Sequence, residues 1–573
     1  MAAVLINWLY IFITTYFTGQ TLIILFKKGT GRNASFGFLS VMLSGFAFVT
    51  VYAGYFSLLS GVGLTANILL ILLCLSGFLV FRKEHCEILA GAFRGIRSSF
   101  RIRILRELGA VILFFVILYF TAYGTFHSDS GLYHAQSIRW IEEYGVVKGL
   151  GLLQNRFGYN SAFFSVSALF SFAFLGQSLH TVNGYIAALV TLYAWYDLTE
   201  DLYGKRSFGL FIFPDLAPVL YTFIGGKELI SPTTDPVLLY LFFAIAIAWC
   251  RGIEEKETHV SYYSLLCVLT VFLVSVKLSV GVLVLLTLQP AVVLIKEKRI
   301  KEILICIISG LISVLPYFIR NVFITGWLIY PVASIDLFDL PWKIPVNSIK
   351  HDAAEITTWA RYVRDASRID DSIFEWAPVW WEGQTFLDRF LSFAAILSFA
   401  VGTIWCVYAV FRILKQRKGD TKLGKMAFFE GVMLFGSLFW FLSAPLIRYG
   451  CLYLLLLPLM TAGVMVNDSG MKSVVKGMFL VPLAAILLFP TALYLTSDIT
   501  YIHDHWSRQY AVFQQDYPET AVKEKEYCGF TFYYPEDQGS PIWYRAFPSV
   551  LYEDNLDFMV PMGEDLKDGF KIR

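Results

Sequence analysis

Charge is what this 573-residue chain has least of: Lys, Arg, Asp and Glu make up 16% of it, against about 25% in an ordinary globular protein. Hydrophobic residues reach 57% and the mean hydropathy is +0.61. That balance argues against a water-soluble globular enzyme and for many membrane crossings. Net charge is only +2, so no global attraction favours nucleic acid. Cysteine is scarce too. Six of the eight (Cys74, Cys250, Cys267, Cys306, Cys406 and Cys451) fall in apolar segments, Cys528 lies in a polar tail, and none has metal-ligand spacing. This argues against a disulfide framework or a zinc site. Positive charge is missing before the first apolar run, since Lys27 and Lys28 follow it, and no small-residue cleavage site is present. Met1 to Phe26 therefore reads as a retained transmembrane helix with its N-terminus outside. No internal repeat is apparent, which removes support for a transporter built from inverted repeats.

Long apolar runs are abundant. A bilayer crossing takes roughly 20 apolar residues, and about fourteen candidates approach that length: 5–26, 36–58, 64–81, 108–126, 180–198, 207–224, 236–250, 261–276, 279–295, 303–319, 391–413, 427–443, 449–466 and 478–496. The basic loops, among them "KKGTGR", "RGIEEKETH", "KEKRIKE" and "RILKQRKGDTKLGK", then all fall on one side, the cytoplasm. Counting 161–176 as a further span would reverse every later loop, so it reads as juxtamembrane or re-entrant. The expected fold is an all-α polytopic membrane protein with interfacial helices and a small C-terminal α/β or β module. The expected divisions are accessory helices over 1–107, a transmembrane core over 108–319 with an external loop at 127–160, and a long external loop with interfacial helices over 320–390. Further transmembrane helices over 391–496 and an extracytoplasmic module over 497–573 complete the chain.

With so little charge in the chain, each ionisable residue on the outer side invites a chemical reading. In "HSDSGLYHAQSIRW", a helix over 129–141 puts Asp129 and Tyr133 on one face, continued by Gln136 and Trp140. A carboxylate there can take the proton of an attacking hydroxyl, and His134 lies beside it; "SDS" is equally good helix-capping sequence, and the two roles are compatible. Asp235 in "KELISPTTDP" is a second outer acid, with Glu228 in the same loop. Asp129 and Asp235 would be the ligands if a divalent cation such as Mg or Mn takes part, while "TTDP" is also an ordinary helix start. Lys277, in "LVSVKLSVGVL", is costly in an apolar run and so a candidate partner for phosphate. Arg320 in "PYFIRNVFITGWLIYP" and Arg448 in "SAPLIRYG" suit bidentate phosphate contacts or simple snorkelling. Trp376, Trp380 and Trp381 in "FEWAPVWWEG" read first as an interfacial belt.

Taken in order, "DSGLYHAQSIRWI", "SPTTDP", "VKLS", "PYFIRNVFITGWLIYP" and "APLIRYG" resemble GT-C membrane glycosyltransferases, and the tail "IWYRAFPSVLYE…LKDGFKIR" resembles that of an incompletely characterised bacterial branch. The likeness runs from about residue 108 to the end. It implies inverting transfer of a sugar from a polyprenyl-phosphate donor to a glycan, lipid or protein acceptor, at the periplasmic face of a bacterial cytoplasmic membrane. Asp129 would match the catalytic acid of the first loop, and Lys277, Arg320 and Arg448 would contact the donor phosphate. Many relatives carry an Asp-Glu pair where this chain has Asp129-Ser130, and three extra spans precede the core, which leaves metal dependence open. Two other readings stay open. Arg361, Arg364 and Arg368 in "RYVRDASR" would line one helix face in an O-antigen-type polymerase or ligase, or form a solvated face with Asp365, Asp370 and Asp371. A polyprenyl-linked glycan flippase would need polar residues spread through several spans, and Asp215 in "FIFPDLAPVLY" is the main candidate.

Overall fold

Inside a bilayer no water satisfies backbone N–H and C=O groups, so apolar runs of this length have to fold as helices. The computed structural model describes residues 1–31, 34–88, 90, 103–202, 212–254, 259–415, 421–468, 489 and 492–573. Among these residues, nine helices are long and apolar enough to cross a membrane, ten if the Leu64–Val80 helix and its 87° bent continuation Arg82–Ile88 count as one span. The chain is thus an integral membrane protein, with fewer candidate spans among the described residues than the fourteen or so expected.

The shortfall has identifiable sources. The Val182–Leu202 helix is long enough but carries Asn183 and Asp197. Val260–Val276 has only 17 residues. Ile212–Gly225 has 14, and the start of its apolar run lies outside the described residues, as does most of 478–496. The 161–176 stretch folds as a buried nine-residue helix, Ala162–Phe170, and a short turn.

Burial sorts the helices into centre and rim. Thr234–Glu254 and Ile447–Asn467 are 94% and 89% enclosed, whereas Leu278–Lys296, Ile300–Thr325 and Phe386–Lys415 are each 28% enclosed. The Ile300–Thr325 helix exposes Leu304, Ile307, Ile308, Leu311, Ile312 and Leu315, a continuous apolar stripe at helical spacing that suits lipid rather than water. The first two helices pack almost backbone to backbone. A methyl group at Gly45 would sit 1.7 Å from the Thr15 carbonyl oxygen, so only glycine fits.

Three local features bear on function. Val260–Val276 stops at Lys277, whose backbone is extended, and the chain resumes as a 3-10 segment, Leu278–Thr287. Two buried tryptophans depart from the expected belt: Trp376 and Trp380 pack against Trp440 and Phe441 instead of facing the interface. Finally, "RYVRDASR" forms no continuous helix, only a short 3-10 turn at Ala366–Arg368. The Val346–Ala360 helix ends before it, and Tyr362 and Arg364 have positive φ, so the three arginines share no face. Arg361 stacks on Trp376, Arg364 on Trp359, and Arg368 pairs with Asp371 at 2.6 Å.

The C-terminal region contains two antiparallel hairpins, β1 (Val522–Tyr527) with β2 (Phe530–Pro535) and β3 (Met559–Pro561) with β4 (Phe570–Ile572). Alternating apolar residues give them one sticky face. Phe532, Met559 and Phe570 bury that face against Trp140, Leu150 and Phe157 of the 127–160 loop. Residues 497–505 of the expected module are helical and lead into it.

Candidate functional site

The 127–160 loop begins with a helical stretch that opens on a π-turn, Ser130–His134, before the regular helix Ala135–Glu143. The extra residue of a π-turn rotates the next turns of the helix, so Gln136 and Trp140 leave the Asp129 face. Gln136 donates to the carbonyls of Trp543 (2.7 Å) and Ala546 (2.8 Å), and Trp140 packs on Phe547. Gly131 lies under the module so closely that a Cβ would meet Pro541 at 2.6 Å.

Asp129 makes no side-chain capping bond. Its carboxylate turns to Arg448, whose Nη2 donates to Oδ2 at 2.7 Å. Arg448 opens the Ile447–Asn467 helix, and its Nε lies 3.8 Å from Asp235 Oδ2 in the first turn of Thr234–Glu254. Lys277, at the helix break, donates to the other Asp235 oxygen and sits 3.9 Å over the Tyr449 ring. Four helix ends thus deliver two carboxylates and two cations into one network at one end of the bundle. Trp380 steadies it from behind by donating its indole N–H to the Pro445 carbonyl, in the turn that carries Arg448.

His127 completes the network. Arg448 Nη1 lies 2.6 Å from its Nε2, and the Asp129 backbone N–H donates to its Nδ1 at 3.1 Å. The His127 backbone N–H donates to Ser231 Oγ at 2.7 Å, which ties the two acid-bearing loops together. Neither His127 nor Tyr449 stands out in the sequence by charge or periodicity. Their only signal is adjacency, two residues before Asp129 and one after Arg448.

Next to the cluster, a cleft with about 460 Å³ of empty space, part of it open to solvent, runs between the Thr234–Glu254, Lys422–Ser443 and Ile447–Asn467 helices. Asp235 and Arg448 line it together with apolar groups such as Leu238, Phe439 and Leu452. Phe435, Phe439 and Leu442 on the flanking helix are exposed, so its neighbourhood continues onto an apolar outer surface.

The electrostatics arise from these contacts. Burial alone would raise the Asp129 carboxyl, but Arg448, with His134 and His127, holds it at about 2. Burial lowers His134 to about 3 despite the pull of Asp129, so that ring is neutral, packed against Tyr133 and Phe164. Tyr133 is pushed up by burial and by the Asp129 charge. Tyr133 and His134 therefore adjoin the cluster as uncharged groups. The remaining candidates lie elsewhere. Glu228 is exposed, and Arg320 is buried in a separate cavity. As a cation site, Asp129 and Asp235 fit poorly, because the Arg448 guanidinium bridges them, and among the described residues no group of three or more His, Cys, Asp or Glu is arranged to hold a metal.

No curated protein and no solved structure matches this chain. A domain of unknown function, DUF8201, matches residues 1–455, a span that includes Asp129, Asp235, Lys277 and Arg448. The chain belongs to the DUF8201 family, an assignment that covers most of its membrane helices and carries no activity with it.

Proposed function

We propose that the protein is a GT-C-like membrane glycosyltransferase that moves a sugar from a polyprenyl-phosphate donor to an extracytoplasmic acceptor. The observation that carries this reading is the meeting of Asp129, Asp235, Lys277 and Arg448 at the mouth of an apolar cleft. A lipid tail suits the cleft, a phosphate suits the cations, and a hydroxyl acceptor suits the water side beside Asp129. The ion pairs Arg412–Asp468 and Arg299–Glu302 mark the opposite end of the bundle, with Lys27 and Lys28, which fits a cytoplasmic face there.

The four formal charges cancel, so a donor phosphate has to draw Arg448 or Lys277 away from its carboxylate. A phosphate that takes Arg448 leaves Asp129 without the partner that holds it near 2, and in its buried setting it becomes a stronger base. The acceptor oxygen then attacks the anomeric carbon and the bond from that carbon to the phosphate oxygen breaks. The acceptor proton passes to Asp129, and polyprenyl phosphate leaves with the bonding pair, held by Arg448 and Lys277. Attack opposite the leaving group inverts the anomeric centre.

Glu430, fully buried within Lys422–Ser443 and bonded to Thr461 at 2.6 Å, favours a second reading, a carrier of polyprenyl-linked glycans. One experiment separates them. Purified protein is incubated with a panel of polyprenyl-phosphate sugars, with and without EDTA, and transfer or hydrolysis is followed beside an Asp129→Asn variant. We expect turnover that falls by about 10²-fold or more in the variant. Full-rate turnover by Asp129→Asn, or movement of intact donor across vesicles with no transfer, defeats the enzyme reading.

A further inference from the structure

The sequence groups Arg320 with Lys277 and Arg448, and the fold separates it. It lies near the end of the Ile300–Thr325 helix, 4% exposed. Its Nε donates to Asn160 Oδ1 at 2.9 Å and its Nη1 to Ser57 Oγ at 2.7 Å, both neutral acceptors. Among the described residues no carboxylate lies within ion-pair distance of it. A guanidinium has five N–H donors, and among the described residues only its Nε and Nη1 meet a protein acceptor. Burying a charge without a counter-charge is among the most costly arrangements in a fold, and it persists where something supplies the missing charge.

The surroundings are built to receive a ligand. Arg320 borders a cleft with about 250 Å³ of empty space, part of it open to the surroundings, lined also by Thr50, Ser165, Ser275 and Ser313. Ser165 is fully buried and its hydroxyl has no hydrogen-bond partner. The hydroxyls of Thr50, Ser275 and Ser313 bond to carbonyls of their own helices, at 2.8, 2.7 and 2.7 Å, and turn away from them at little cost. Pro316 forms part of the wall, and the exposed Ile312 and Leu315 of the same helix continue the surface into the lipid-facing stripe.

We infer that this cavity is a second anion-binding subsite, in which Arg320 and Ser165 hold a phosphate group. A fork of parallel N–H donors beside several hydroxyls matches a tetrahedral group with several oxygens. The phosphate comes either from a lipid headgroup reaching in past Pro316 or from free phosphate. A chain of bonds links the subsite to the helix break at Lys277: Asn160 holds Arg320, and the next residue, Ser161, donates to the Val276 carbonyl at 2.7 Å, one position before Lys277. The inference does not depend on sugar transfer.

The test uses the full chain in a neutral sugar detergent, in an Arg448→Gln background, where the other cluster is left with two carboxylates against Lys277 and its net negative charge disfavours phosphate. Thermal unfolding is followed with inorganic phosphate, with a short-chain phosphatidic acid, and with the matching diacylglycerol as the uncharged control. We expect an upward shift of about 2 °C or more with at least one phosphate-bearing probe and none with diacylglycerol. Adding Arg320→Gln abolishes the shift. If that chain does not fold, Ser165→Val, which removes the unpartnered hydroxyl and narrows the cavity, decides in its place. A shift with inorganic phosphate identifies a site open to the free anion, and one with phosphatidic acid alone identifies a headgroup site. No shift with either probe, or a shift that survives Arg320→Gln or, where that chain does not fold, Ser165→Val, overturns the inference.

Discussion

Arg448 and Arg320 look alike in the sequence, each an arginine beside an apolar run, yet their surroundings differ in kind. Arg448 is one of two cations set against two carboxylates, and its guanidinium side chain is 34% exposed. Arg320 is more deeply buried and meets only the neutral oxygens of Asn160 and Ser57. The contrast teaches how each can handle phosphate. A charge-balanced network has to exchange partners when an anion arrives, and so it can release a base. A guanidinium without a carboxylate takes the anion with nothing displaced.

The largest effect expected from breaking this contrast comes from Arg448→Gln, which leaves Lys277 as the one close cation of the network opposite two carboxylates. It should lower unfolding stability by about 2 kcal/mol, less than for a fully buried pair because the site is partly exposed. Asp129→Asn in the same chain should recover much of that loss. Arg320→Gln strands no carboxylate and should cost about 1 kcal/mol, the scale of its hydrogen bonds, with no recovery from Asp129→Asn. Denaturant titration of the four chains in detergent checks this, and equal losses with equal recovery would erase the distinction.

Acid sharpens the comparison at a middle scale. Asp129 is held at about 2, below its ordinary 3.8, so its pairing stabilises the fold fully above pH 3.8 and is lost as pH falls through about 2. The acid limb of the stability profile should therefore flatten in Arg448→Gln and persist in Arg320→Gln. Unfolding midpoints measured across that window give the answer, and an unchanged limb in Arg448→Gln would mean that Arg448 does not hold the Asp129 carboxyl down.

The smallest expected effect is that of Trp380→Phe, which removes the indole N–H donated to the Pro445 carbonyl. A loss of about 1 kcal/mol is expected. Because Pro445 sits in the turn that carries Arg448, the loss should be non-additive with Arg448→Gln and additive with Arg320→Gln. Double-mutant cycles by denaturant titration distinguish the two.

Much of the candidate site is legible because polar residues are rare in a chain this apolar. Asp129, Asp235, Lys277 and Arg448 each stand out against their neighbours, and the structure joins all four. Arg320 stands out equally and goes elsewhere, because rarity says that a charge needs a partner without saying which. His127 escapes notice since a histidine at a loop start has no periodic signature. Trp380 reads as part of an interfacial belt since burial against Phe441 depends on a helix distant in sequence.

What the sequence alone determined is the class of molecule. Apolar runs of bilayer length have to become helices, and alternating apolar residues in the tail give strand pairs, because backbone hydrogen bonding leaves few other solutions. Which charges meet was decided only by the tertiary structure. Partner choice depends on where helix ends fall around the bundle and on the π-turn that aims Asp129, and both arise from packing between segments hundreds of residues apart.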